Sequence, residues 1–86
     1  MWLAQIASLF RRSHRQWRLY HGGDVMECFI ADGDAMSAEI RFVYRGEEYH
    51  RFVHTTRGDA EREANEKRNE LTRVGWSEQP RAAATF

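Results

Sequence analysis

The stretch Gln16–Ala31, QWRLYHGGDVMECFIA, decides the fold. At its centre His21-Gly22-Gly23-Asp24 offers two glycines, which take the left-handed dihedrals of a tight two-residue hairpin turn at low cost. Folding the chain about that turn sets Arg18 opposite Glu27, Leu19 opposite Met26 and Trp17 opposite Cys28. One face then carries a salt bridge and the other apolar pairs, as in a half-buried hairpin.

Working outward, Asp32-Gly33-Asp34 interrupts the alternation, and a loop runs on to about Ala38. A third strand is expected over Glu39–Tyr44 and a fourth from Glu48 to about Thr55. Between them Arg45-Gly46-Glu47-Glu48 places Gly46 first in the turn centre, which suits a type II′ hairpin. That register pairs Arg45 with Glu48, Tyr44 with Tyr49, Ile40 with Val53 and Glu39 with His54, and leaves Phe42 facing Arg51.

Thr56-Arg57-Gly58-Asp59 has the form of a helix N-terminal capping box. A helix is expected from there to about Val74, with Ala60, Ala64, Leu71 and Val74 as a thin apolar stripe. Gly75 stands as its left-handed stop, with Trp76 folding back on Leu71. Before the hairpin, Trp2, Leu3, Ile6, Leu9 and Phe10 recur at helical spacing, so residues 1–12 read as a short amphipathic helix. The expected fold is α+β, a four-stranded antiparallel meander packed by a C-terminal helix, in the order α-β-β-β-β-α. Residues 1–12 form the N-terminal helix, 15–76 the single sheet-plus-helix domain and 77–86 a disordered tail.

A chain of 86 residues makes one domain, since two cores would each be too small. Its 42% hydrophobic and 13% aromatic content is enough to seed a core. Cys28 is the single cysteine, which excludes an intrachain disulfide and suits a reducing, cytoplasmic setting. No apolar run approaches the roughly 20 residues of a membrane span. Trp2–Phe10 lacks the leading positive charge of a secretory signal.

Period-2 alternation sorts the strands into two faces. Trp17, Leu19, Met26, Cys28, Ile30, Ile40, Phe42, Tyr44, Tyr49 and Val53 form the expected core face under the C-terminal helix. The reverse face carries Arg18, Tyr20, Val25, Glu27, Phe29, Arg41, Val43, His50, Phe52 and His54. Its apolar residues Phe29, Val43 and Phe52 point to a covered surface. The cover is the N-terminal helix, a second copy or another macromolecule; the bland alternative is a scatter of ordinary surface hydrophobes. The leading expectation is a non-enzymatic protein-interaction domain that binds itself or another protein. Its contacts would be Trp2, Phe29, Arg41, Val43, His50 and Phe52.

The second expectation is a nucleic-acid-binding accessory role for Arg11, Arg12, Arg15 and Arg18. Through His21 the chain has four Arg and no acid, whereas nine basic and thirteen acidic residues follow. Arg with an interleaved aromatic suits phosphates and stacked bases, although self-neutralisation of head against body accounts for the same asymmetry. Weak contact with a membrane surface is a further use for such a head.

Neither a cofactor nor a metal is expected. His50 and His54 share a strand face but stand roughly 13 Å apart, too far for one ion. A third reading, an enzyme using His54 with Glu39, has no motif behind it, and Cys28 reads as a buried thiol. Residues Arg45–Val74, with their glycine turn, strand, His54-Thr55-Thr56 and acidic helix start, resemble part of one family. The likeness is to the end of the sheet-plus-helix DNA-binding domains at tyrosine recombinase N-termini. It covers about a third of the chain, and the basic sheet residues of those domains are largely absent here.

Overall fold

A computed structural model of the chain describes residues 13–79. It contains β1 (Ser13–His21), β2 (Asp24–Asp32), β3 (Ala38–Tyr44), β4 (Glu47–His54) and α1 (Arg57–Arg73). The strands form one antiparallel sheet in the order β1-β2-β3-β4, and α1 packs across one of its faces. The N-terminal helix expected at residues 1–12, with Trp2, Arg11 and Arg12, lies outside the described residues.

The first hairpin closes at the expected two-residue turn, although only Gly22 of its two glycines is left-handed. His21 pairs with Asp24 and Gly22 takes φ 62° between them. Trp17 lies opposite Cys28, Arg18 opposite Glu27 and Leu19 opposite Met26. A bulge between Arg15 and Trp17 lets β1 start earlier than the alternation suggests, with Arg15 opposite Phe29 and Ser13 opposite Ala31.

The second hairpin departs from expectation by one residue at its turn. Its centre is Arg45-Gly46, with φ 55° and 82°, so that Tyr44 pairs with Glu47 and Val43 with Glu48. Holding arginine in the left-handed region costs about 1–2 kcal/mol. Contacts with the first hairpin offset that cost: Arg45 N donates to the Val25 carbonyl at 3.0 Å. Its Nε reaches Asp24 Oδ1 at 2.8 Å, and Tyr44 donates to the same carboxylate.

A second bulge follows between Phe42 and Val43, so Tyr49 and His50 both lie against Phe42. Beyond it, Arg41 pairs with Arg51, Ile40 with Phe52, Glu39 with Val53 and Ala38 with His54. His50, Phe52 and His54 therefore share the helix side of the sheet, while Arg51 and Val53 face away. This corrects the assignment of Val53 to the core face and of His50, Phe52 and His54 to the reverse face. It also replaces the expected pairing of Phe42 with Arg51 by one with His50.

The core lies between the sheet and α1. Trp17, Leu19, Met26, Cys28, Ile30, Ile40 and Phe42 are buried, together with Ala31, Ala38, Ala60 and Ala64. On α1 only the two alanines are fully enclosed, and their small side chains let the helix axis come close to the sheet. That approach brings Trp17 Nε1 to the Ala64 carbonyl at 2.9 Å, which satisfies the indole in the core.

Both helix ends follow the local signals. Thr56 is the N-cap, its hydroxyl accepting from Asp59 N at 3.1 Å. At the other end Trp76 N donates to the Leu71 carbonyl and Gly75 N to that of Thr72, with Gly75 at φ 111°. Val74, expected in the apolar stripe, is the C-cap and stands exposed. Replacing Thr56 by Ala is expected to cost about 1 kcal/mol, read as a lower urea midpoint at unchanged slope.

Past the helix the described chain continues to Gln79. Ser77, expected in the disordered tail, exchanges two backbone hydrogen bonds with Tyr20 at 2.7 and 3.0 Å. Trp76 stacks on His21 at 5.2 Å and meets Tyr44 edge-on, so this short segment covers the end of β1.

Candidate interaction surface

Three surfaces follow from this register: the reverse face of the sheet, the seam between β4 and α1, and the open edge of β4. The described residues among those named from sequence as partner contacts divide among them.

Phe29, Arg41 and Val43 lie on the reverse face, half-buried among ions. Arg41 sits over the Phe29 ring at 5.1 Å and donates to Ser13 Oγ. Arg51 reaches Glu39 at 3.5 Å and Glu48 at 2.7 Å, while Arg41 stands 3.7 Å from Glu48. These ion pairs let Arg41 and Arg51 lie opposite one another without an unbalanced charge. Arg51 holds the Glu48 carboxyl below the usual carboxylate range, chiefly by hydrogen bonding. Burial pushes Glu39 up despite both arginines. The reverse face is thus a charge ladder around one capped aromatic ring.

Arg15 and Arg18, the described members of the basic head, converge on Glu27 at 3.2 and 2.8 Å. One carboxylate therefore already engages two of the cations proposed for nucleic acid. With Gln16, Trp17, Tyr20 and Glu78 these arginines line a shallow groove beside β1.

At the seam, His50 Nε2 lies 3.1 Å from one oxygen of Glu63 and His54 Nε2 2.6 Å from the other. A carboxylate only accepts, so both contacts call for the tautomer with its proton on Nε2. The two histidines, although spaced along one strand, are joined by a single helical side chain. Sequence reasoning paired His54 with Glu39 instead. In the structure Glu39 faces the other side, opposite Val53. The missed residue, Glu63, sits in the second turn of α1, and only the correct β4 register places it over the histidines. Among the described residues no group of three or more His, Cys, Asp or Glu side chains is arranged to hold a metal ion.

Cys28 is fully enclosed, and burial pushes its thiol up to about 12, with the charge of Glu63 adding to the effect. An acid whose folded pKa exceeds its ordinary 9.0 gives stability below pH 9 that is lost as pH rises toward 12. Tyr49, also raised by burial, adds the same sign above pH 10. Urea midpoints should therefore fall as pH rises from 9, and Cys28→Ala should flatten that slope without removing the tyrosine part. A slope equal in the variant and the parent contradicts it.

The edge of β4 is the most exposed part of the sheet. Tyr49, Phe52 and Val53 are 52%, 52% and 58% exposed, and no described element pairs with the strand's outer side. Phe52 meets the His54 ring edge-on at 4.7 Å, on the helix side of the sheet. Among the described residues, no helix is long and apolar enough to cross a membrane. Comparison with protein-family models, curated proteins and solved structures finds no match to this chain.

Proposed function

We propose that this chain is a small non-enzymatic interaction domain that takes up protein by strand addition along β4. One observation carries the reading. β4 is an edge strand with three half-exposed apolar or aromatic residues, whereas the end of the other edge, at Tyr20, is occupied by Ser77. Edge strands present a row of unpaired amides and carbonyls, and proteins usually blunt them with charge, Pro or bulges. β4 has its bulge at the start, and Arg51 is the one formal charge among His50–His54. Backbone hydrogen bonds would supply affinity there, and Phe52 and Val53 would supply selectivity, one on each face.

The buried free thiol of Cys28 supports a reducing, cytoplasmic setting for this role. Nucleic acid receives less support from the geometry, because Arg15 and Arg18 are shared with Glu27. The test is a photo-cross-linking residue placed at Phe52, with Glu66 on the exposed side of α1 as control. Cross-links to protein from position 52 that vanish with Val53→Lys, and none from position 66, are expected. A folded chain giving none from position 52 overturns the reading.

A further inference from the structure

We infer that the occupant of the β4 edge is β4 of a second copy, paired antiparallel about a two-fold axis through Phe52. This inference rests on the strand-addition reading and names its partner. Two four-stranded sheets would then join into one continuous sheet with both helices on the same side.

The argument starts from the bulge. Because Tyr49 and His50 both lie against Phe42, regular alternation in β4 begins at His50 and ends with the strand at His54. Within that stretch His50, Phe52 and His54 lie on the helix side and Arg51 and Val53 on the reverse side. Residues opposite one another in an antiparallel pair share a face. A two-fold axis perpendicular to the sheet must therefore pass through a residue, and the choices are few.

An axis through Arg51 sets like charges against each other, which is destabilising, and puts Val53 against a residue of the other face. An axis through His50 opposes Glu48 to Phe52, again across faces. An axis through Val53 sets Val53 on Val53 and Phe52 opposite His54, but leaves His50 and Arg51 without partners in the strand. The axis through Phe52 alone uses the whole regular segment. It stacks Phe52 on Phe52 of the second copy, sets His50 opposite His54 of the second copy, and lays Arg51 over the apolar Val53. No like formal charges meet, and each histidine keeps its own Glu63. The free edge is thus complementary to itself in charge, face and length.

The contact is small. A five-residue strand pair lies below the roughly 1,200 Å² of a standard stable interface, so the dimer is weak and depends on concentration. Sedimentation velocity on the full chain from about 1 μM to about 1 mM tests it. The expected result is a monomer that becomes a dimer across that range, with amide exchange slowing in β4 as the dimer fills. Phe52→Glu should weaken association by at least about tenfold, as should Val53→Lys, which sets a cation against Arg51. Circular dichroism confirms that each variant folds, and Glu66→Ala should leave association unchanged. A wild-type chain that stays monomeric throughout, or a dimer equally tight in both folded edge variants, overturns self-pairing. If the monomeric chain still cross-links another protein from position 52, strand addition stands and self-pairing falls. If it cross-links nothing, both fall.

Discussion

Trp17→Ala is expected to remove most of the stability of the domain, with far-UV circular dichroism showing a largely unfolded chain at 25 °C. The indole is 6% exposed, stacks against Phe42 at 6.0 Å and donates to the Ala64 carbonyl across the sheet–helix interface. Truncating a buried tryptophan typically costs about 3–5 kcal/mol, because the surrounding core relaxes only in part. Marginal stability of about 0.05–0.15 kcal/mol per residue leaves little reserve in a chain of 86 residues. Trp17→Phe separates the causes. It keeps most of the apolar area but loses the bond to Ala64, so a smaller loss of about 1–2 kcal/mol is expected in urea titrations. If Trp17→Ala folds with a nearly unchanged midpoint, α1 is not held to the sheet by this residue.

Phe42→Ala is expected to be the second severe change, at about 3–5 kcal/mol. Phe42 is 2% exposed, and Trp17, Tyr49 and His50 all stack on it, at 6.0, 6.1 and 5.2 Å. Aromatic pairs contribute about 0.5–1.5 kcal/mol each beyond their buried area, so the loss exceeds that of an aliphatic side chain of similar burial. Val53→Ala is the informative companion. Were Val53 on the core face, its truncation would cost a substantial fraction of the Phe42 value. On the reverse face, and 58% exposed, it should change stability by no more than about 0.5 kcal/mol. Chemical denaturation of the two variants thus reads the β4 register directly, and a large loss in Val53→Ala would contradict it.

The register matters beyond stability because it decides which residues a partner can meet. From sequence, Phe29, Val43 and Phe52 form one apolar patch with His50 beside it. The structure divides them: Phe29 and Val43 stay on the ion-paired face, while Phe52 and His50 turn to the helix side. The proposed interaction surface consequently moves from a sheet face to a sheet edge. The likeness of Arg45–Val74 to a DNA-binding sheet-plus-helix domain rested on a strand–helix succession that the wider comparisons do not extend. The glutamates beside Arg41 and Arg51 make the reverse face unlike a basic one.

What the sequence determined by itself is local. The two-residue turn at Gly22-Gly23, the pairing of Trp17 with Cys28, the Thr56 cap and the Gly75 stop each depend on residues close in the chain. Turn dihedrals and end-of-helix hydrogen bonds select those residue types almost independently of context. The β4 register was decided by tertiary structure, through Asp24, which binds Arg45 and Tyr44 from the neighbouring hairpin. That contact outweighs the preference of a glycine-first turn, and β4, with Val53 on one alternation and Phe52 on the other, does not itself choose between registers one residue apart. The Trp17–Ala64 bond spans 47 positions, and the bridging of both histidines by Glu63 likewise needs α1 laid over β4. Side chains on separate elements meet only after the sheet and helix dock, so their partnership is a property of packing geometry.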